Sequence, residues 1–254
     1  MTRIRAGLGA AILLVISVIA AVPQDELTRW GTPDQNGRRI GSYMVAFDGR
    51  TRCPRWTLER LDAAALAHRA VRDTERFTTD TQVPSEFRPS SIDYARSGFD
   101  IGHCVPAADC MTGERDLAET FTFTNACPQR PEFNRGEWKR LETHVREIAS
   151  GPRRTVWVVT CPLWLPDRGG KDNDFKVETI GPSRVWVPTH CGKAVLISDR
   201  DNGFSALAWI LPNRKLVKGF DEYRVTTDEF ESASGLDLWA GLPDQTEDEI
   251  EGTK

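Results

Sequence analysis

The segment 134–149 constrains this chain more than any other, because its periodicity is helical while its inward face is not wholly apolar. Trp138, Leu141, Val145 and Ile148 fall on one stripe, with Lys139, Arg140, Thr143 and Glu147 opposite. Gly151-Pro152 ends the pattern. At about 100° per residue, Asn134 and Glu142 lie roughly 40° to either side of Trp138, so both turn inward with the stripe. An inward carboxylate is costly without a partner. Two partners answer it equally well: a cation with its water shell, or a salt bridge to a buried arginine.

Around this helix the sequence alternates as strands do. Residues 40–47 read as a strand, Asp48-Gly49 as a hairpin turn, and 50–61 as a segment that begins as a second strand. Residues 62–72 continue as a short helix or a loop. Residues 76–97, with Pro84 and Pro89 and little periodicity, form a long ordered surface loop, a kind of segment that is often functional. Further strands are expected at 155–160, 184–188, 193–198 and 205–211, with Asn202-Gly203 a turn. Residues 236–242 make a last packed segment. The sum is an α+β domain with a central antiparallel β-sheet and flanking helices, spanning 25–244, followed by an acidic disordered tail over 245–254. With 254 residues, 39% hydrophobic, one domain can bury a sizeable core.

Residues 1–21 stand apart. Arg3 and Arg5 precede an uncharged run over 6–22, and Ala20 and Ala21 lie just before Pro23, the layout of a secretory signal cleaved after either alanine. The alternative is an uncleaved membrane anchor through residues 6–22. The body is therefore expected to leave the cytoplasm, as a secreted or periplasmic protein, an anchored one facing outward, or an organellar one in a eukaryote. Six cysteines fit such a route and permit up to three disulfides, with buried free thiols the alternative for Cys161 and Cys191. Without residues 1–21 the formal charge is −6, so a polyanionic partner needs a local basic groove rather than a basic average.

The chemistry concentrates in residues 99–142. His103 ends a strand-like segment, after Asp100-Ile101-Gly102, and histidine is the usual general base near neutral pH. His68, His144 and His190 have no comparable setting. Asn134 at the start of the helix is either a cap or an oxygen donor for a hard cation. Glu142 could hold the waters of such a cation through hydrogen bonds.

Asp100-Ile101-Gly102-His103, followed by Pro106-Ala107, resembles the Asp-Arg-Gly-His signature of the DNA/RNA non-specific endonucleases of the ββα-metal class. Thr124-Asn125-Ala126-Cys127-Pro128-Gln129 and Asn134-Arg135-Gly136-Glu137-Trp138, with Leu141-Glu142, resemble that family's second block. The likeness covers about residues 28–244. It implies a ββα-metal active-site motif, His103 as general base, Asn134 as sole direct metal ligand, Asn125 as a positioning group and Glu142 as orienter of metal-bound water. Arg76 is the match for the family's phosphate-contacting arginine. Asp100, Arg135 and Arg96 are candidates at the substrate. The implied cofactor is Mg²⁺, with Mn²⁺ the alternative, and the implied partner DNA and/or RNA, cut to 5′-phosphate and 3′-hydroxyl ends. No base-reading motif is evident, so cutting is expected to follow backbone contacts. Dimerisation is common in the family, and a homodimer is an alternative to the monomer.

One position departs from the pattern. Ile101 stands where the family has arginine, which leaves as alternatives a catalytically impaired nuclease-fold binding protein or an extracellular interaction domain. Arg96, Arg135 or Arg140 are candidates to supply the missing charge. A zinc module of His103, Cys104, Cys110 and Cys127 is the weakest alternative, since paired Cys-x₂-Cys spacing is missing.

Overall fold

The computed structural model describes residues 25–67, 76–110, 113–166 and 177–252. The expected signal or anchor lies outside them. Among the described residues no helix is long and apolar enough to cross a membrane.

Eleven strands occur among the described residues: β1 (Arg38–Ile40), β2 (Tyr43–Asp48), β3 (Cys53–Asp62), β4 (Asp100–His103), β5 (Ala126–Gln129), β6 (Arg154–Leu163), β7 (Thr179–Ile180), β8 (Val185–Trp186), β9 (His190–Asp199), β10 (Gly203–Pro212) and β11 (Arg224–Val225). Seven of them form one antiparallel sheet in the order β1-β2-β3-β6-β9-β10-β11. Its central strands are apolar on both faces, because each face has a cover. Successive strand residues point to opposite sides. Leu61, Val156, Val158, Val195 and Trp209 meet Trp138, Leu141 and Val145 of the 134–149 segment. Trp56, Leu58, Trp157, Val159 and Leu196 meet Phe230, Leu236, Leu238 and Ile250 from the C-terminal part. The α+β expectation holds.

Local chemistry moved several boundaries. The strand expected over 40–47 is a hairpin: Gly41 takes φ 50°, and β1 folds back on β2 with Ile40 opposite Tyr43. The turn after Asp48 is longer than the two-residue form. The Asp48 carboxylate accepts from the Arg50 amide at 2.9 Å, and Arg52 adopts φ 56°. The 76–97 loop contains two short helical turns, Ser85–Phe87 and Ser91–Tyr94. The 134–149 helix is not regular. A short Pro131–Phe133 turn leads into a π-helical turn, Asn134–Trp138, broken at Gly136 (φ −102°, ψ −117°), and only Lys139–Ala149 is α-helical. Glycine permits that break, and π turns recur at functional sites.

Two expectations fail. The acidic tail is not disordered where it is described: Asp244–Glu251 is a helix, docked by Ile250, which is 5% exposed within the C-terminal core. The charges line the outside of a helix that has one large apolar anchor. The disulfide framework does not form either, since all six cysteines are buried free thiols. Burial pushes the Cys53, Cys110 and Cys161 thiols up, and hydrogen bonding with Cys104 and Cys191 does the same to Cys127. They act as small apolar fillers.

The docking of the last helix is testable. Ile250→Ala is expected to lower unfolding stability by about 2–5 kcal/mol in urea titration. A change below about 0.5 kcal/mol would show the helix undocked in solution.

Candidate active site

β4 and β5 pair antiparallel, with Asp100 opposite Gln129, Gly102 opposite Cys127 and His103 opposite Ala126. β5 then runs into the kinked helix, which completes a ββα unit. Gly102 is required by packing: a Cβ there would lie 2.2 Å from the Gln129 side-chain oxygen. Gln129 is itself buried beneath the hairpin, its amide 3.5 Å from the Cys191 sulfur.

Asp100 is the organising carboxylate. It accepts from Asn134 Nδ2 at 3.0 Å and from Arg135 Nε and Nη2 at 2.8 and 2.6 Å. Arg135, a candidate for the substrate, is thereby held as a two-point partner of Asp100. With its N–H directed at Asp100, Asn134 presents its amide oxygen as the remaining donor atom. Such a hard oxygen suits a divalent cation that keeps most of its waters. Among the described residues no three His, Cys, Asp or Glu side chains converge as a metal-binding set. The zinc arrangement of His103 with Cys104, Cys110 and Cys127 is therefore not formed, and a cation here would have few protein ligands.

His103 lies in an aromatic slot, its ring centroid 4.8 Å from that of Phe77 and 4.8 Å from that of Phe121. The loop carrying Phe77 is pinned: Thr78 donates its amide to Phe121 O at 2.8 Å and accepts from Phe123 N at 3.1 Å. Arg76, the chain neighbour of Phe77, is exposed. Asn125 is fully buried. Its oxygen accepts from Val105 N at 2.9 Å, and its amide donates to Val105 O and Thr120 O, both at 3.0 Å. Every arm of the side chain is used on backbone, two on Val105, which follows His103 by two residues, and one on Thr120.

Glu142 is half-buried. Burial pushes its carboxyl up to about 7, with Lys193 and Arg146 opposing the shift and Asp109 adding to it. The inward glutamate expected from periodicity is thus real. Its surroundings are a charge cluster that sequence reading missed. Lys193 is 1% exposed in β9, donates to Thr160 Oγ1 at 2.6 Å and sits 5.1 Å over the Trp138 ring. Arg146 bonds buried Asp109 at 2.8 Å. Glu59 in β3 is buried too, and desolvation holds its carboxyl well above the carboxylate range. A lone lysine in the apolar run of β9 was the available signal.

Two candidates stand outside this assembly. Arg96 is exposed on a left-handed turn (φ 55°) and makes no ion pair among the described residues. Ile101 is partly buried against the main core, where it packs as an apolar residue.

The comparisons with known proteins agree with this geometry. A family model described as DNA/RNA non-specific endonuclease matches residues 24–245. The chain is 35% identical over 229 residues to the mitochondrial nuclease EXOG of Danio rerio, covering 85% of this chain and 65% of that protein. It is 35% identical to mitochondrial nuclease 1 of Schizosaccharomyces pombe, over 79% of this chain and 65% of that one. It is 30% identical to mitochondrial endonuclease G of Bos taurus, over 83% and 72%. The chain thus spans just under two thirds of the length of the EXOG and yeast relatives. A chain of the EndoG/EndoGI complex superposes with a TM-score of 0.78 at 30% identity, covering 85% of this chain and 91% of that one.

The raised Glu142 carboxyl has a consequence for stability. Between its ordinary value of 4.5 and about 7 the folded protein keeps a proton that the unfolded chain has released. Stability therefore falls as pH rises through that window and does not recover above it. Glu142→Gln is expected to stabilise the cation-free protein at about pH 8 by about 1–3 kcal/mol and to lose most of that advantage near pH 5. Urea denaturation in EDTA at both pH values measures this, and an equal gain at both would refute the linkage.

Proposed function

Because the chain belongs to the DNA/RNA non-specific endonuclease family, we propose that it hydrolyses phosphodiester bonds of DNA and RNA at the junction of β4, β5 and the kinked helix. The observation that carries this reading is the Asp100 clamp, which orients Asn134 with its amide oxygen left as a donor atom. His103 stands on the same strand as Asp100.

In this reading His103 takes a proton from the water that attacks phosphorus, and Phe77 and Phe121 restrict its ring to one orientation. Asn125 keeps the chain after His103 in register with that task. Asn134 would be the direct ligand of a divalent cation, Mg²⁺ or Mn²⁺, and ionised Glu142 would hold the cation's waters. When bound, the cation supplies positive charge to a non-bridging phosphate oxygen and to the leaving 3′ oxygen. Arg76, exposed and next to Phe77 in the chain, stabilises charge on the phosphoryl group. Products carry 5′-phosphate and 3′-hydroxyl ends.

The second reading, an impaired nuclease-fold binding protein, draws on Ile101, an apolar side chain where a guanidinium would add positive charge. For location, segment 6–22 supports delivery out of the cytosol, and the mitochondrial names of the relatives bring the organellar alternative forward. Amino-terminal sequencing of the protein from its native source decides between cleavage and anchoring, and sedimentation tests the homodimer.

Digestion of plasmid DNA and of structureless RNA with and without Mg²⁺ tests the activity. The native protein is expected to degrade both only with the cation. His103→Ala is expected to cut at least about 10²-fold more slowly, with Asn134→Ala losing the dependence on cation concentration. Equal, background-level cutting by native protein and His103→Ala would end the enzyme reading in favour of the binding protein.

A further inference from the structure

The loop between β10 and the Phe220–Tyr223 turn contains Arg214, Lys215, Leu216, Val217 and Lys218. Both of its roots are tied to the ββα unit. At one root Asn213, 8% exposed, accepts from the Arg130 amide at 2.9 Å and donates to Pro128 O at 3.0 Å and Pro188 O at 2.9 Å. Arg130 O in turn accepts from the Asn134 amide at 2.9 Å. At the other root the Phe220 amide donates to Glu137 Oε2 at 2.9 Å, and the Phe220 ring packs on His144 and Trp209. The loop is therefore held by the end of β5 and by the same π turn that carries Asn134.

Between these roots the loop projects outward. Leu216 packs against the main core, while Val217 is 99% exposed. Arg214 and Lys215 are exposed and form no ion pair among the described residues, whereas Lys218 is paired with Glu222 at 3.2 Å. Two exposed cations without an ion pair among the described residues thus stand on a loop whose roots are bonded to Arg130 and Glu137, on either side of Asn134, in a chain of net negative charge.

We propose that this loop is a nucleic-acid contact outside the scissile position. Arg214 and Lys215 bind backbone phosphates flanking the cleaved one, and Val217 rests on the sugars between them. The inference builds on the nuclease reading above and names where an acidic protein keeps its polyanionic substrate. Phosphate contacts position a duplex without reading sequence, which suits a site that lacks base-reading groups. An anionic lipid surface is the weaker occupant, because a single exposed valine contributes at most about 1.5–3 kcal/mol of insertion and stable anchoring needs more apolar area.

The double variant R214E/K215E changes two exposed side chains, and an unchanged thermal midpoint verifies its fold. Fluorescence anisotropy on a duplex of about 30 base pairs, without divalent cation, measures binding independently of cleavage. The dissociation constant is expected to rise at least about ten-fold at roughly 0.1 M salt, and the slope of log affinity against log salt to fall by about two. Hydrolysis of bis(p-nitrophenyl) phosphate with Mg²⁺ is expected to be unchanged, because that small diester does not reach the loop. Equal duplex affinity and salt slope in variant and native protein would overturn the inference. So would a loss of binding to phosphatidylserine vesicles with duplex binding intact. A native protein that binds duplex through this loop and hydrolyses neither substrate would overturn the nuclease reading and leave the loop assignment standing.

Discussion

The Asp100 carboxylate fixes how the β4–β5 pair and the helix that follows it are set against each other. It ends one strand of a short hairpin, yet its oxygens are occupied by two consecutive residues of a helix more than thirty positions later. Paired hydrogen bonds to a guanidinium fix direction as well as distance. The carboxylate therefore sets the angle of the helix against the hairpin and the rotation of the Asn134 amide together. The π turn contains these contacts, and its break at Gly136 follows immediately after them. The helix can satisfy Asp100 at its start and still lay Trp138, Leu141 and Val145 on the sheet. His103, three residues along β4, inherits its position from the same hairpin, secured from behind by the buried Asn125.

Beneath the helix the protein buries charge where most domains bury hydrocarbon. Lys193, Glu59, Asp109 and Arg146 surround Glu142, and burial is the leading reason that the Glu59, Asp109 and Glu142 carboxyls sit high. A cluster with three carboxyls and two cations is electrostatically short of positive charge when all its members ionise. Retained protons offset that shortage. Such a cluster stabilises the fold less than apolar residues of the same volume would, and sites that need a tunable carboxylate accept that penalty. The six thiols are the opposite case. Five of them fill space in the two main cores and Cys110 in a smaller cluster with Tyr43, Val45 and Val105, so the sheet relies on packing rather than on covalent ties.

Much of this was legible in the chain. The long strands, the ββα order of His103, Asn125, Asn134 and Glu142, and the packed segment around Leu238 follow from periodicity and motif spacing. The misreadings have physical causes. Treating 134–149 as one regular helix assumed a constant angle per residue, and Gly136 removes that constancy. The tail looked disordered because eight of its ten residues are polar or charged, while a single isoleucine was enough to dock it. An even cysteine count suggested disulfides, but pairing depends on where the sulfurs lie in space, which spacing along the chain does not report.

The sequence by itself determined the fold class and the family pattern, because alternation, helical stripes and fixed motif spacings are one-dimensional signals. Only the tertiary structure decided what each residue touches. It showed that Arg135 belongs to Asp100, that every arm of Asn125 is taken by backbone, that Lys193 reaches Glu142's neighbourhood from a distant strand, and that the loop carrying Arg214 and Lys215 is rooted on Arg130 and Glu137. Those facts depend on hydrogen-bond geometry and desolvation between segments far apart in the chain, and such terms exist only once the chain has closed on itself.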